Sequence, residues 1–462
     1  MSPKPPPYAC TECGAPAARW TGQCPTCGAW NTIEEAFASS ASSAPVSLQP
    51  LEDVAEIVTV ATGITELDRV LGGGVTTGSV TLVIGEPGIG KSTLCLQIAA
   101  RLRDAIDEGE ILIVSAEESV TQVGARARRL GAERHGVSLL ATSHLPDVER
   151  ALEQRNPSVA VIDSVSTLHT PSQSGSPGSV TQVRTAAESL SRFARRSGTM
   201  LILVGHVTKD GDLAGPRSLE HLVDTVLHIE GDRHHQRRVL TTTKHRYGRA
   251  GEVGILTMEE HGLVSVADPS AALLAERGQP LPGSVASILA EGAHPLAVEI
   301  QALVTPAAGS PARVTQGIPA TRLRQLTAVL DAHGELGLGR SDVFVACSGA
   351  VKAAEPAVDM AVMTAILSAH TGVALDPAVV CLGEVGLTGA FRPVAAMDRR
   401  LREAERIGLT RMVVPPGVTV PDGCTRVEIA TVAALLRVLR ELAPDSPPAA
   451  TVTREGDRAE GW

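Results

Sequence analysis

The sequence predicts an α/β protein of two large domains, the first built on a mostly parallel sheet, preceded by a small four-cysteine ribbon. Three observations carry this. Residues 51–268 alternate short apolar runs with longer helical stretches, the pattern of strands joined by crossover helices. A second block, from about residue 281 to 442, has apolar strands at 343–346 and 379–382 and an alanine- and methionine-rich helix at 356–370. Four of the eight cysteines crowd at the start as two Cys-x-x-Cys pairs.

A chain of 462 residues accommodates about three folded units at ~150 residues each. The predicted division is a ribbon over 1–37, a Ser/Ala/Pro-rich linker over 38–50, a first domain over 51–268, a second over 269–442 and a tail over 443–462. The tail is polar and proline-containing and is expected to be disordered. With 41 basic and 51 acidic residues the net charge is −10, which excludes a protein that coats nucleic acid with its whole surface. Any such contact must be local. Of nine aromatic residues, Tyr8, Trp20, Trp30 and Phe37 lie in the first 37 positions, so base stacking cannot be spread along the chain. No apolar export segment opens the sequence and no run is long enough for a membrane span, so the expected location is the cytoplasm. In that reducing compartment Cys95, Cys347, Cys381 and Cys424, scattered in apolar segments, are expected in cores.

Cys10 and Cys13, and Cys24 and Cys27, are each separated by two residues, with ten between the pairs. That spacing lets four thiolates converge on one zinc ion, and the metal stabilises a unit too small to fold on its own core. Tyr8, Trp20 and Trp30 are expected to supply what core the ribbon has.

Within the first domain, Gly85-Glu86-Pro87-Gly88-Ile89-Gly90-Lys91-Ser92 fits the phosphate-loop pattern G-x-x-x-x-G-K-[ST], with Thr93 next. It follows an apolar strand and opens a helix in which Leu94, Ile98 and Leu102 recur every fourth residue, the context the motif requires. Such a loop closes its amides around nucleotide phosphates. Lys91 is expected to reach the β and γ oxygens and Ser92 to ligate magnesium, so ATP or GTP binding follows. The apolar run 159–162 ends in Asp163, the strand-end carboxylate that completes a magnesium shell. Run 111–114 leads to Glu117 and Glu118, and run 201–204 leads to His206. In a parallel sheet these residues share one edge with the phosphate loop. Glu117 is the preferred water-orienting base, Glu118 its competitor, and His206 the candidate γ-phosphate sensor.

Together with Thr65-Glu-Leu-Asp-Arg-Val-Leu-Gly-Gly-Gly74, Ser115-Ala-Glu-Glu-Ser119, Pro177-Gly-Ser-Val180, His206-Val-Thr-Lys-Asp-Gly-Asp-Leu-Ala-Gly-Pro-Arg217 and Glu384-Val-Gly-Leu-Thr-Gly389, these motifs resemble the RadA (Sms) family of bacterial recombination and repair ATPases, related to RecA, from end to end. The resemblance implies a RecA-like core and an ATP-dependent motor that uses magnesium, binds single-stranded and branched DNA, and assembles as a hexameric ring. It also implies branch migration together with RecA. The family's Lys-Asn-Arg-Phe-Gly pentapeptide reads Lys244-His245-Arg246-Tyr247-Gly248 here, so histidine and tyrosine depart from the pattern. By resemblance this segment couples DNA to hydrolysis, with Lys244 and Arg246 presented to a neighbouring subunit's nucleotide in the manner of an arginine finger. Residues 232–249 hold six lysines or arginines and one acid, a local reversal of the global charge. Loops 170–183 and 208–217 are candidate DNA contacts, Lys209 and Arg217 in particular.

The C-terminal domain resembles the proteolytic domain of Lon, whose catalysis uses a serine and a lysine. Ala357 stands where the serine belongs and Asp398 where the lysine belongs, so a scaffold is expected rather than a peptidase. Arg392, Arg399, Arg400 and Arg402 are candidate DNA contacts there. A nucleotide-gated DNA clamp or RecA accessory factor that hydrolyses ATP without translocating would carry the same motifs, and sequence alone leaves that alternative open.

Overall fold

The computed structural model describes residues 8–13, 15–17, 19–35, 56–106, 109–206, 219–231, 236–275, 277–290, 292 and 294–444. Packing divides the chain into two compact units, one ending at Glu56 and the other beginning at Ile57. In the first, β1 (Tyr8–Cys10), β2 (Pro16–Ala17) and β3 (Ile33–Glu35) form an antiparallel sheet in the order β2-β1-β3. Its buried centre is Cys10, Cys24 and Ile33, with Tyr8 and Ala17 packed against it. Trp20 and Trp30 are 59% and 70% exposed, which corrects the expectation that they build this core. Two thiols, an isoleucine and one phenol ring fill the small interior, and the indoles stay outside.

The second unit begins with a short antiparallel pair, β4 (Thr59–Val60) and β5 (Val75–Thr76). Nine strands then form one sheet: β6 (Val80–Gly85), β7 (Ile111–Ser115), β8 (Val137–Ala141), β9 (Val159–Asp163), β10 (Met200–His206), β11 (Thr225–Glu230), β12 (Arg237–His245), β13 (Val253–Glu259) and β14 (Gly262–Ser265). The order is β14-β13-β12-β11-β6-β10-β9-β7-β8. Strands β6 to β11 are mutually parallel, and β12 to β14 add as antiparallel neighbours. Apolar residues face both ways because both faces are covered. Val83, Ile113 and Ile202 pack on helix Lys91–Ala105 through Leu94, Ile98 and Leu102. Leu82, Ile84, Leu112 and Leu203 pack on helices Leu145–Arg155 and Val180–Ser197. Each such buried side chain contributes about 1.5–3 kcal/mol, so the edge that carries the site rests on strands packed on both faces.

The second large sheet holds β15 (Ser284–Leu289), β16 (Leu296–Pro306), β17 (Arg313–Gln316), β18 (Ser341–Cys347), β19 (Val379–Cys381), β22 (Arg411–Val414) and β23 (Thr425–Glu428), in the order β17-β18-β16-β15-β19-β22-β23. Between β19 and β22 in the chain, β20 (Glu384–Val385) and β21 (Phe391–Arg392) form a separate antiparallel pair. Helix Asp359–Thr371 is buried from Asp359 to Ser368, which explains a sequence that is apolar all round. Helix Pro269–Leu274 packs on this sheet, and Val239 and Ile255 of the first sheet join its apolar cluster. Cys95, Cys347 and Cys381 are buried and Cys424 half-buried. Among the described residues no helix is long and apolar enough to cross a membrane.

Candidate functional site

The register places four motif-bearing strand ends on one edge of the first sheet. His206 pairs with Gly85, Val204 pairs with Asp163, and Ser115 pairs with Asp163. The phosphate loop leaves β6 at Gly85, where a Cβ would lie 2.3 Å from the Ile229 carbonyl oxygen, so glycine is what allows β11 this close. Gly90 has φ 118°, and a Cβ there would meet Met258 Cε at 2.7 Å. Helix Lys91–Ala105 then starts without a side-chain cap, the arrangement in which an anion serves as the cap. Ser92 and Thr93 lie in its first turn, and Thr93 opens on a cleft lined by Arg129, Leu130, Met258 and His261.

Lys91 is buried, its Nζ donating to the carbonyls of Gly85 at 2.8 Å and Glu86 at 2.9 Å. Burial lowers its pKa, while the carboxylates of Asp163 and Glu117 oppose that shift and favour the cation. Both acids therefore act on the loop lysine. Glu117 accepts a hydrogen bond from Ser164 Oγ at 2.5 Å, next to Asp163 in the chain. Glu118 instead pairs with Arg126 at 2.7 Å, and its backbone is held by Ser115 Oγ. The two adjacent glutamates thus have different surroundings: one faces the loop, the other is tied to helix Val120–Arg129.

His206 ends β10 beside Gly85. Lys209 and Arg217 lie outside the described residues, as does the whole of loop 208–217. In loop 170–183, buried Gln182 accepts from Thr170 N–H and donates to the carbonyls of Thr170 and Gln173, closing the segment on itself. Sequence reasoning missed this anchor. It also missed Arg238, a buried arginine on β12 whose Nε donates to the Ile89 carbonyl at 2.8 Å and braces the phosphate loop from behind.

Lys244 and Arg246 lie elsewhere. Thr225 pairs with both His245 and Thr81, so the pentapeptide sits beside the start of β6, whereas the phosphate loop is at its end. At ~3.3 Å per residue those ends are about 16 Å apart. Lys244 Nζ donates to the carbonyls of Glu220 and Val223, and Arg246 Nη1 to Asp224 Oδ1 at 3.1 Å. His245 Nδ1 accepts from Tyr247 N–H, leaving Nε2 buried against Gly72 and Gly248. Tyr247 is exposed.

In the ribbon, the four thiol sulfurs lie within 4.8 Å of one another, Cys10 Sγ to Cys27 Sγ at 3.7 Å and Cys13 Sγ to Cys24 Sγ at 3.8 Å. A tetrahedron of ~2.3 Å zinc–sulfur bonds has sulfurs about 3.8 Å apart, so the residues fit the ion. The Thr32 hydroxyl and the Cys13 N–H bring the Cys10 pKa down to about 6, favouring a thiolate. Metal analysis of freshly purified protein is expected to return one zinc per chain. A value well below that would remove the assignment.

In the C-terminal domain Ala357 is buried and Asp398 exposed, so no serine–lysine pair forms at these positions. Arg400 is only 3% exposed and pairs with Glu355 at 2.5 Å, which corrects its reading as a DNA contact. Removing either partner of such a buried pair costs about 3–5 kcal/mol, a structural role. Arg392 and Arg402 are exposed, and Arg399 Nη2 reaches the Gly292 carbonyl.

A phosphate loop, a strand-end aspartate and a neighbouring glutamate on a parallel sheet, with a four-cysteine ribbon before them and a protease-like domain after, define a zinc-ribbon P-loop ATPase. Family models agree: a rubredoxin metal binding domain matches residues 8–35, an AAA domain 46–212, and a Lon protease (S16) C-terminal proteolytic domain 332–420. The chain belongs to the RadA family of DNA repair proteins. It is 41% identical to DNA repair protein RadA of Mycolicibacterium smegmatis over 94% of this chain and 97% of that one. It is 40% identical to the Bacillus subtilis protein, covering 93% and 97%, and 42% identical to the Pseudomonas aeruginosa protein, covering 94% and 98%.

Proposed function

We propose that this protein is a DNA-stimulated ATPase that binds single-stranded and branched DNA, assembles as a hexameric ring, and drives branch migration of recombination intermediates with RecA in the cytoplasm. The observation that carries this reading is the separation of the two motifs: Lys244 and Arg246 lie at the opposite end of β6 from this chain's own phosphate loop. That distance puts them out of reach of the nucleotide bound by the same chain, which favours service to a neighbouring copy. Lys91 and the loop N–H groups of residues 85–93, Pro87 excepted, hold the ATP phosphates, Ser92 and Asp163 hold magnesium, and His206 senses the γ-phosphate. Magnesium held there would supply charge neutralisation for the phosphates. Glu117 takes the proton from the attacking water, and Ser164 fixes the carboxylate. Lys209 and Arg217 contact DNA phosphates, giving sequence-independent and salt-sensitive binding. The C-terminal domain serves as a non-proteolytic scaffold, since Ala357 has no nucleophile and Asp398 no amine.

A labelled three-strand exchange intermediate tests this directly. With ATP, magnesium and protein the junction is expected to move, and faster with RecA present. If the junction never moves while ATP is hydrolysed, the motor reading fails and the clamp remains.

A further inference from the structure

Asp224 belongs to none of the sequence motifs, yet its carboxylate is held by both backbone and side-chain groups at the start edge of the first sheet. It is 2% exposed. Its Oδ2 accepts from Val80 N–H at 3.0 Å, and its own N–H donates to the Val80 carbonyl at 2.9 Å, so it is stapled twice to the first residue of β6. Its Oδ1 takes Arg246 Nη1 at 3.1 Å and lies 3.6 Å from Arg195 Nη2, at the end of helix Val180–Ser197. The Arg246 N–H closes the arrangement by donating to the Asp224 carbonyl at 3.0 Å.

A buried carboxylate needs compensating charge, and here two arginines supply it from the surface. Arg246 is half-exposed and commits one Nη1 bond to the carboxylate; among the described residues its other side-chain donors make no further bond. A planar guanidinium held at one corner keeps its orientation while presenting the remaining donors outward, the geometry a phosphate recognises. The other end of the same connection is β6, fully buried and ending in the phosphate loop.

We propose that Asp224 is the positioning residue for Arg246, holding the guanidinium that serves a neighbouring copy's nucleotide and tying it to the strand that ends in this chain's own phosphate loop; the inference rests on the trans-acting reading above. Asp224→Asn keeps an oxygen for Val80 N–H but loses the charge that holds the two arginines. DNA-stimulated kcat is expected to fall about 10- to 100-fold with KM for ATP changed less than about two-fold. The double variant Asp224→Asn/Arg246→Ala is expected to be no slower than Arg246→Ala. Mixing Asp224→Asn chains with Lys91→Ala chains is expected to restore turnover, because the second chain offers an intact Arg246 to the first chain's nucleotide, and a misfolded subunit would not recover in this way. Full stimulated turnover in Asp224→Asn beside an impaired Arg246→Ala would overturn the inference, as would an additive loss in the double variant or no recovery on mixing. If Arg246→Ala itself keeps full stimulation, the trans-acting reading fails first, independently of Asp224.

Discussion

Lys91→Ala is expected to abolish ATP hydrolysis, lowering kcat by about 10³-fold or more, which corresponds to ~4 kcal/mol of transition-state stabilisation. The lysine is bonded to two carbonyls of the loop and faces two carboxylates. Without it, the negative charge that builds on the transferred phosphoryl group meets Asp163 and Glu117 without the lysine's charge to offset them. Nucleotide affinity should fall as well, measured by titration with a fluorescent ATP analogue, while the fold persists because β6 and the helix after the loop are held by their own apolar contacts. Turnover at the wild-type rate in this variant would overturn the phosphate-loop assignment.

Glu117→Gln is expected to separate binding from chemistry. The amide oxygen can still accept from Ser164 Oγ, so the side chain keeps its place, but it cannot take a proton from water. Steady-state kcat should fall about 10²- to 10³-fold with ATP binding retained, within the range for loss of a positioned general base. Glu118→Gln is the matched control. Its carboxylate is occupied by Arg126, so its loss should leave most of the turnover and chiefly weaken the attachment of helix Val120–Arg129. The opposite ranking would transfer the role from Glu117 to Glu118.

Local patterns carry the candidate site in the sequence. The cysteine spacing, the glycine-and-lysine loop and the carboxylates at strand ends each need only a few neighbouring residues, and the period of apolar runs aligned the strands that bring them together. What stayed hidden depends on contacts between distant parts of the chain. Arg238 bonds to Ile89 across 149 positions, and Asp224 to Val80 across 144, and nothing near either residue marks it as inward-facing. Arginine and tryptophan add a second difficulty, since both carry apolar bulk and a polar tip and settle inside or outside according to room. Arg400, read as surface, is buried because Glu355 waits for it; Trp20 and Trp30, read as core, are outside because the ribbon's interior was already full. Glu117 and Glu118 are adjacent and of one chemical type, with Glu117 preferred from the sequence, and their different surroundings come from distant Ser164 and nearby Arg126.

The outward indoles give the molecule an optical property. Its three tryptophans are Trp20, Trp30 and Trp462, so neither large sheet contains one. Ultraviolet-excited indole emission therefore originates in the ribbon and at the chain's last residue, and the ribbon pair is open to collisional quenchers. A single tryptophan introduced into either sheet would stand against a background that is silent everywhere between positions 31 and 461.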